Sequence, residues 1–159
     1  MENILTKEKE ERIIASVMHL AGILPFMGMF IPMLIWILKK DKSFYIALHC
    51  LQTLIYQTTG ILIFIMGMIL YIASFLGVFI ATAVSTGFDK NTEPSPIIIV
   101  FFFIPFIIFF SIFFFYIIYM LYSILGFILT LAKGDFKYVI IGKRVENYLK
   151  KDSTKTNEV

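Results

Sequence analysis

Two long stretches without a formal charge, residues 44–84 and 97–132, constrain this chain more than any other feature of its sequence. At about 1.5 Å per helical residue, each stretch exceeds the roughly 30 Å of a hydrocarbon core and can cross a bilayer as a helix. Hydrophobic residues make up 59% of the chain and charged residues only 16%, which leaves too few polar residues to cover a soluble core. The sequence therefore predicts an all-α, multi-pass integral membrane protein.

The rest of the chain divides around these two stretches. The predicted organisation is a cytoplasmic N-terminal arm at 1–12, a membrane domain at 13–149 and a polar, disordered tail at 150–159. Within the membrane domain, the predicted segments are 13–24, 30–38, 44–84, 97–132 and a short amphipathic stretch at 139–149. A loop at 85–96 separates the two long segments because it combines turn-forming residues with two prolines.

Residues 13–38 allow two arrangements. Pro25 and Pro32 either kink a single span or separate two short helices, 13–24 and 30–38, which would form a hairpin. Lys and Arg in short loops favour the cytoplasmic side of a membrane. A hairpin places every basic cluster on that side, whereas a single span leaves a basic N-terminal arm outside. We therefore favour a helical bundle with two short N-terminal helices as a hairpin plus two long helices, in the inner membrane, with both termini cytoplasmic.

Polar side chains recur at helical spacing in the first segment and at the start of the first long stretch. Because residues three or four apart share a helix face, each set makes a stripe. The candidate polar stripe consists of Arg12, Ser16, His19, Tyr45, His49, Gln52 and Tyr56. An unpaired polar group in lipid is costly, so the two sets could meet and satisfy each other's hydrogen bonds. One hypothesis is a polar site between the helices that binds a substrate or carries protons. The favoured alternative places His49 and Gln52 at the level of the lipid headgroups.

Small residues form a second pattern, which is typical of faces where helices approach closely. The helix-packing residues are Gly60, Gly67, Ser74, Gly77 and Ala81. We expect this face to pack against the last long segment within one chain, and a homodimer is the less favoured alternative.

The sequence offers little for catalysis. Two histidines without a carboxylate in the membrane segments fall short of the three or four ligands that zinc usually takes. A serine nucleophile arrangement, a glycine-rich phosphate loop and paired carboxylates are also missing from the sequence. We predict no catalytic role, no metal, no cofactor and no nucleic-acid partner, since the net charge is only +3. The expected partners are the lipid bilayer and either a membrane protein or further copies of the chain.

Several short blocks resemble a known family by their order along the chain. They are Glu11 and Arg12; His19 and Leu20; Pro32 to Trp36; Lys39, Lys40 and Asp41; Ser43; His49, Leu54, Tyr56 and Gln57; and Ala132, Gly134, Tyr138 and Arg144. This order resembles the domain of unknown function 4870 family, which is related to the Tic-twenty subunit of chloroplast protein import. The resemblance implies four helices with both ends cytoplasmic and no assigned chemistry. Ile55 departs from it, because the family usually has Asn at that place.

Two hypotheses for function follow. In the first, the chain is a non-catalytic helical membrane module that acts through helix and protein contacts, as an accessory in translocation or membrane assembly. In the second, it is a transporter or pore subunit that uses the polar region around His19, His49 and Gln52.

Overall fold

The computed structural model describes residues 2–24, 26–40, 42–86, 96–133 and 136–156. Within these ranges every regular element is helical, which confirms the all-α prediction. In chain order the elements are α1 (Glu2–Ala21), a 3-10 turn (Met27–Met29), α2 (Phe30–Lys39), α3 (Phe44–Thr86), α4 (Pro96–Lys133) and α5 (Ile141–Thr156). Most of the predicted loop at 85–96 lies outside the described residues.

Helices α1 and α2 form a hairpin around the 3-10 turn, and both contact that turn and each other. Lys39 Nζ lies 3.1 Å from Glu10 Oε1, so the end of α2 returns to the first half of α1. The reversal is tight enough that Phe26 takes a φ of 63°, a value that residues with a side chain usually avoid. The hairpin is therefore confirmed, and the single kinked span is wrong.

Two helix ends extend further than the sequence predicted. Helix α1 begins at Glu2, so the N-terminal arm is the first half of a helix rather than a separate segment. Helix α5 continues to Thr156, into the predicted disordered tail. Oppositely charged residues four apart on a helix stabilise it. In α5 this pairing is seen directly, because Lys150 Nζ lies 2.9 Å from Glu146 Oε1.

The chain divides into two compact units, Met1–Ile61 with Tyr119–Val159 (the terminal unit) and Leu62–Ile118 (the middle unit). The apolar core of the terminal unit consists of Ala15 and Met18 from α1 and of Ile46 and Cys50 from α3. Partly buried side chains cover this core, among them Ile35 and Trp36 of α2. Burial of these apolar groups fixes the hairpin against the start of α3.

The middle unit exposes apolar side chains along both of its helices. Large hydrophobic residues such as Met66, Phe79, Phe103 and Phe114 are more than half exposed. Helices α3 and α4 are both long and apolar enough to span a membrane, and their most apolar windows are 0% and 6% buried by protein. The core helix of a soluble protein would be covered instead, so lipid is the natural solvent for these faces.

The predicted packing face divides into a covered part and an open part. A Cβ on Gly60 would lie 2.5 Å from the ring of Tyr119, and a Cβ on Gly67 would lie 2.9 Å from Ile112. A Cβ on Gly77 would meet nothing within 4 Å. Ser74, Gly77 and Ala81 line a groove of about 310 Å³ together with Val78, Phe101 and Ile104. The absence of a side chain at Gly60 and at Gly67 therefore allows the close approach of α4 residues. At Gly77 no neighbouring atom makes such an approach.

The start of α5 is fixed to the segment before it. Lys137 Nζ donates a hydrogen bond of 2.7 Å to Glu146 Oε2, and Gly142 N donates to Tyr138 O at 2.8 Å. Hydrogen bonds from Lys137 and then from Lys150 lower the pKa of Glu146 from 4.5 to about 2. The Glu146 carboxylate is therefore an ionic link between α5 and residue 137.

We predict that Gly60→Ala destabilises the protein and that Gly77→Ala does not. The added methyl at position 60 meets the ring of Tyr119, whose displacement would disturb its stacking on Tyr56, and such overpacking costs about 1–3 kcal/mol. Unfolding by SDS in mixed micelles, followed by far-UV circular dichroism, measures both variants. Equal stability of the two variants would contradict the assignment of a covered and an open part.

We also predict a pH-dependent difference between wild type and Glu146→Gln. A depressed carboxyl pKa stabilises the folded state above the unfolded value of 4.5, and this contribution disappears as the pH falls towards 2. The wild type should therefore be the more stable protein at pH 6, and the difference should vanish near pH 2. Thermal unfolding in detergent across this range tests it, and a difference that persists at the acid end would refute the ionic link.

Candidate functional site

The polar side chains of α1 and α3 meet inside the terminal unit. His19 Nε2 lies 3.0 Å from His49 Nδ1, and Gln52 Nε2 lies 2.9 Å from the same His49 nitrogen. All three side chains are fully or almost fully buried by protein. His49 and Gln52 therefore lie between helices and are covered by protein, while their level relative to the lipid headgroups stays a prediction.

The segment between α4 and α5 closes this polar network. Gln52 Nε2 donates to Phe136 O at 3.4 Å, and Gln52 Oε1 accepts from Tyr138 N at 3.4 Å. The Tyr138 hydroxyl lies 3.0 Å from His19 Nδ1. We name this network, His19, His49, Gln52 and Tyr138, the polar clamp, because it joins α1, α3 and the segment before α5.

The donors around the clamp assign its protons. The amide nitrogen of Gln52 can only donate, so His49 Nδ1 accepts, and His19 Nε2 must donate to that nitrogen as well. His19 Nδ1 is then an acceptor for the Tyr138 hydroxyl, with the Thr53 hydroxyl a second neighbour at 3.4 Å. With a neutral His19, the hydrogen bonds run in one direction, from Tyr138 through His19 to His49.

A stack of tyrosines supports Tyr138. The Tyr56 ring stacks on Tyr138 at a centroid distance of 4.1 Å and on Tyr119 at 4.3 Å. The Tyr56 hydroxyl donates to Tyr119 O at 2.8 Å, which fixes the stack to α4. Burial, and then the neighbouring tyrosines, raise the pKa of Tyr138. Tyr138 therefore remains a neutral hydrogen-bond donor.

The remaining predicted stripe residues lie outside the clamp. Arg12 is exposed on α1, and the buried Ser16 hydroxyl donates to Ile13 O of its own helix at 2.8 Å. The Tyr45 ring contacts His49 at a centroid distance of 4.5 Å, so Tyr45 borders the clamp through its ring. In the described part of the chain, no three His, Cys, Asp or Glu side chains group as metal ligands.

The sequence did not single out Phe136 and Tyr138 as site residues. Both are buried, whereas Lys137 between them is exposed. An extended segment produces such a period of two. The signal available in the sequence was the matching alternation of aromatic, charged and aromatic residues at 136–138. The expected helix-ending residue, Gly134, lies outside the described residues.

Gln57, two helical turns after His49, differs from Gln52. Its side chain is 4% exposed, yet neither amide atom has a hydrogen-bond partner among the described residues. A Cβ on Gly28 would lie 3.6 Å from Gln57 Nε2, so the amide faces the 3-10 turn of the hairpin. Gln52 and Gln57 are thus a matched pair of buried glutamines, one fully bonded and one unpaired.

We predict opposite outcomes for methionine at these two positions. Gln52→Met removes the partners of His49, Phe136 O and Tyr138 N, and should lower the free energy of unfolding by about 1–3 kcal/mol. Gln57→Met removes an unpaired buried amide and should leave stability unchanged or raise it. SDS unfolding of both variants provides the comparison. A loss at position 57 as large as the loss at position 52 would contradict this assignment of partners.

Comparisons with known proteins place the chain in a family. Searches of curated proteins and of solved structures each found no match. The family profile that matches is MamF/MmsF, the magnetosome magnetite crystal formation protein family, over residues 10–145. This match corrects the resemblance to the domain of unknown function 4870 family and to Tic-twenty, which is wrong. Because the match covers most of the sequence, including the whole polar clamp, this chain belongs to the magnetosome magnetite crystal formation protein family.

Proposed function

We propose that this chain is a non-catalytic protein of the magnetosome membrane that takes part in magnetite crystal formation through contacts made by its helices. The family match over residues 10–145 is the observation that carries this proposal. Two helices that are long enough to span a membrane, with apolar faces left uncovered, support the membrane location.

The polar clamp supports a structural role for its histidines. Three ring nitrogens, His19 Nδ1, His19 Nε2 and His49 Nδ1, each lie within hydrogen-bond distance of another side chain of the clamp, and Thr53 is a further neighbour of the first. His19 and Gln52 are 0% exposed, so a substrate reaches them only if the helices separate. Groups that are satisfied by each other in this way hold helices in register, and they need no ligand to be stable.

The transporter hypothesis has no comparable support. It requires a polar region that water or a substrate can enter, and the three residues it relies on are buried in contact with one another. An accessory role in protein translocation depended on the Tic-twenty resemblance, which the family match overturns. We therefore adopt neither.

We propose further that both termini lie on the cytoplasmic side. Because α1 and α2 form a hairpin, the basic residues of α1 and those near Lys39 are at the same end of that hairpin. The basic residues of α5 follow the second apolar helix. One crossing by α3 and one by α4 return the chain to the side of the membrane on which the hairpin begins and ends.

Deletion and complementation in a magnetite-forming host test the proposed function. We expect deletion of the gene to change the size or number of magnetite crystals in electron micrographs, and expression of the wild-type chain to restore them. His49→Gln should restore them as well, because glutamine offers an acceptor to His19 and Gln52 but cannot titrate.

Each part of the proposal has its own contrary result. Unchanged crystals after deletion would refute the role in crystal formation. A His49→Gln protein that reaches wild-type levels in the membrane, yet fails to restore the crystals, would refute the non-catalytic role. The matched control is Gln57→Met, which leaves the clamp intact and should complement fully.

A further inference from the structure

Helix α5 presents a basic face that the described side chains do not neutralise. Gly142 and Val145 are buried against the terminal unit, whereas Lys143, Arg144 and Lys151 are exposed. Among the described side chains, none of these three basic groups has an ion pair or a hydrogen bond. Glu146 pairs with Lys137 and Lys150 instead.

Apolar side chains without cover lie beside this basic face. Val139 and Ile140, in the turn that precedes α5, are 79% and 71% exposed, and Tyr148 is 63% exposed. On a helix, Arg144, Tyr148 and Lys151 fall at i, i+4 and i+7 and form one stripe. Basic and apolar or aromatic groups are therefore interleaved on the same outward side of α5.

The position of α5 along the chain places this surface next to a membrane. The second membrane-length helix ends at Ala132, and α5 begins at Ile141. Residues 136–138, just before α5, stay beside α1 and the start of α3, because Phe136 O and the Tyr138 hydroxyl are bonded to Gln52 and His19. Exposed basic and apolar groups at this level meet the headgroup region of a bilayer.

We propose that α5 and the Val139–Ile140 turn form a binding surface for anionic lipids. Lys143, Arg144 and Lys151 bind the headgroup phosphates, while Val139 and Ile140 enter the interface below them. An acidic protein or a nucleic acid would use the three charges but would leave the adjacent apolar pair in water, so a lipid surface fits the whole face better. This proposal requires only that the chain is embedded in a membrane, and it is independent of any role in magnetite formation.

A fluorescence experiment in nanodiscs tests this surface. Ile140→Cys is labelled with the environment-sensitive dye NBD, and the unsubstituted chain serves as the labelling control because its single cysteine, Cys50, is fully buried. In discs that contain phosphatidylglycerol, the emission should shift to the blue and be quenched by spin-labelled lipid more strongly than in pure phosphatidylcholine. High salt should reduce this difference, since it screens the charges.

Two charge-matched triple variants locate the effect. Lys143→Gln, Arg144→Gln and Lys151→Gln together should abolish the response to phosphatidylglycerol. Lys7→Gln, Lys9→Gln and Arg12→Gln together remove three exposed basic groups from α1 and should leave the response intact. All six side chains are exposed, so both proteins are expected to fold, and circular dichroism verifies it.

Several results would overturn the proposal. These are the absence of any difference between the two lipid compositions, an unchanged response in the α5 triple variant, or equal losses in both triple variants. If the NBD emission is the same with and without phosphatidylglycerol but changes when polyglutamate or RNA is added, the basic face binds an acidic macromolecule instead. As a second measurement, Val139→Asn in the labelled protein should weaken quenching by lipid without changing the three basic residues.

Discussion

The structure of the terminal unit depends on hydrogen bonds between side chains that are costly to leave unpaired in an apolar environment. His19 and His49 come from different helices and share one contact of 3.0 Å. Gln52 then links the pair to the backbone at Phe136 and Tyr138, so two ring nitrogens and two backbone groups are satisfied within one buried cluster. In an apolar environment the alternative to these bonds is an unpaired donor or acceptor, which costs several kcal/mol per group by order of magnitude.

The middle unit is stabilised in a different way. Its two helices expose most of their large apolar side chains, and lipid tails compete with protein for the same contacts. Association within this unit therefore depends on shape, as at Gly67, where the missing side chain admits Ile112. Tyr71 and Phe109 add an aromatic contact at 5.9 Å. The terminal unit thus relies on buried hydrogen bonds between polar side chains, whereas the middle unit relies on complementary shape.

The sequence predicted the parts of this arrangement that depend on local pattern. Uncharged runs predicted the long helices, and the placement of basic residues favoured the hairpin. Helical spacing placed His19 in one stripe, and His49 and Gln52 in another, with the expectation that the two stripes could meet. Spacing alone could not show that Arg12 and Ser16 remain outside the clamp. It indicates which face of the helix a side chain occupies, but not how deeply that side chain is buried. Tyr138 was missed as a site residue since its contact with His19 joins positions far apart in the chain, which no local pattern encodes. The helical ends of α1 and α5 were missed because charged residues were interpreted as solvated coil, although they also favour helix.

The distance in sequence between His19 and Tyr138, 119 positions, has a consequence for biosynthesis. A nascent chain inserts its hairpin and the start of α3 long before residue 138 leaves the ribosome. Until then, His19 Nδ1 lacks the Tyr138 hydroxyl and Gln52 Oε1 lacks the backbone N–H of Tyr138. Tyr138 supplies these bonds last, so a polypeptide truncated before this residue leaves both groups without them.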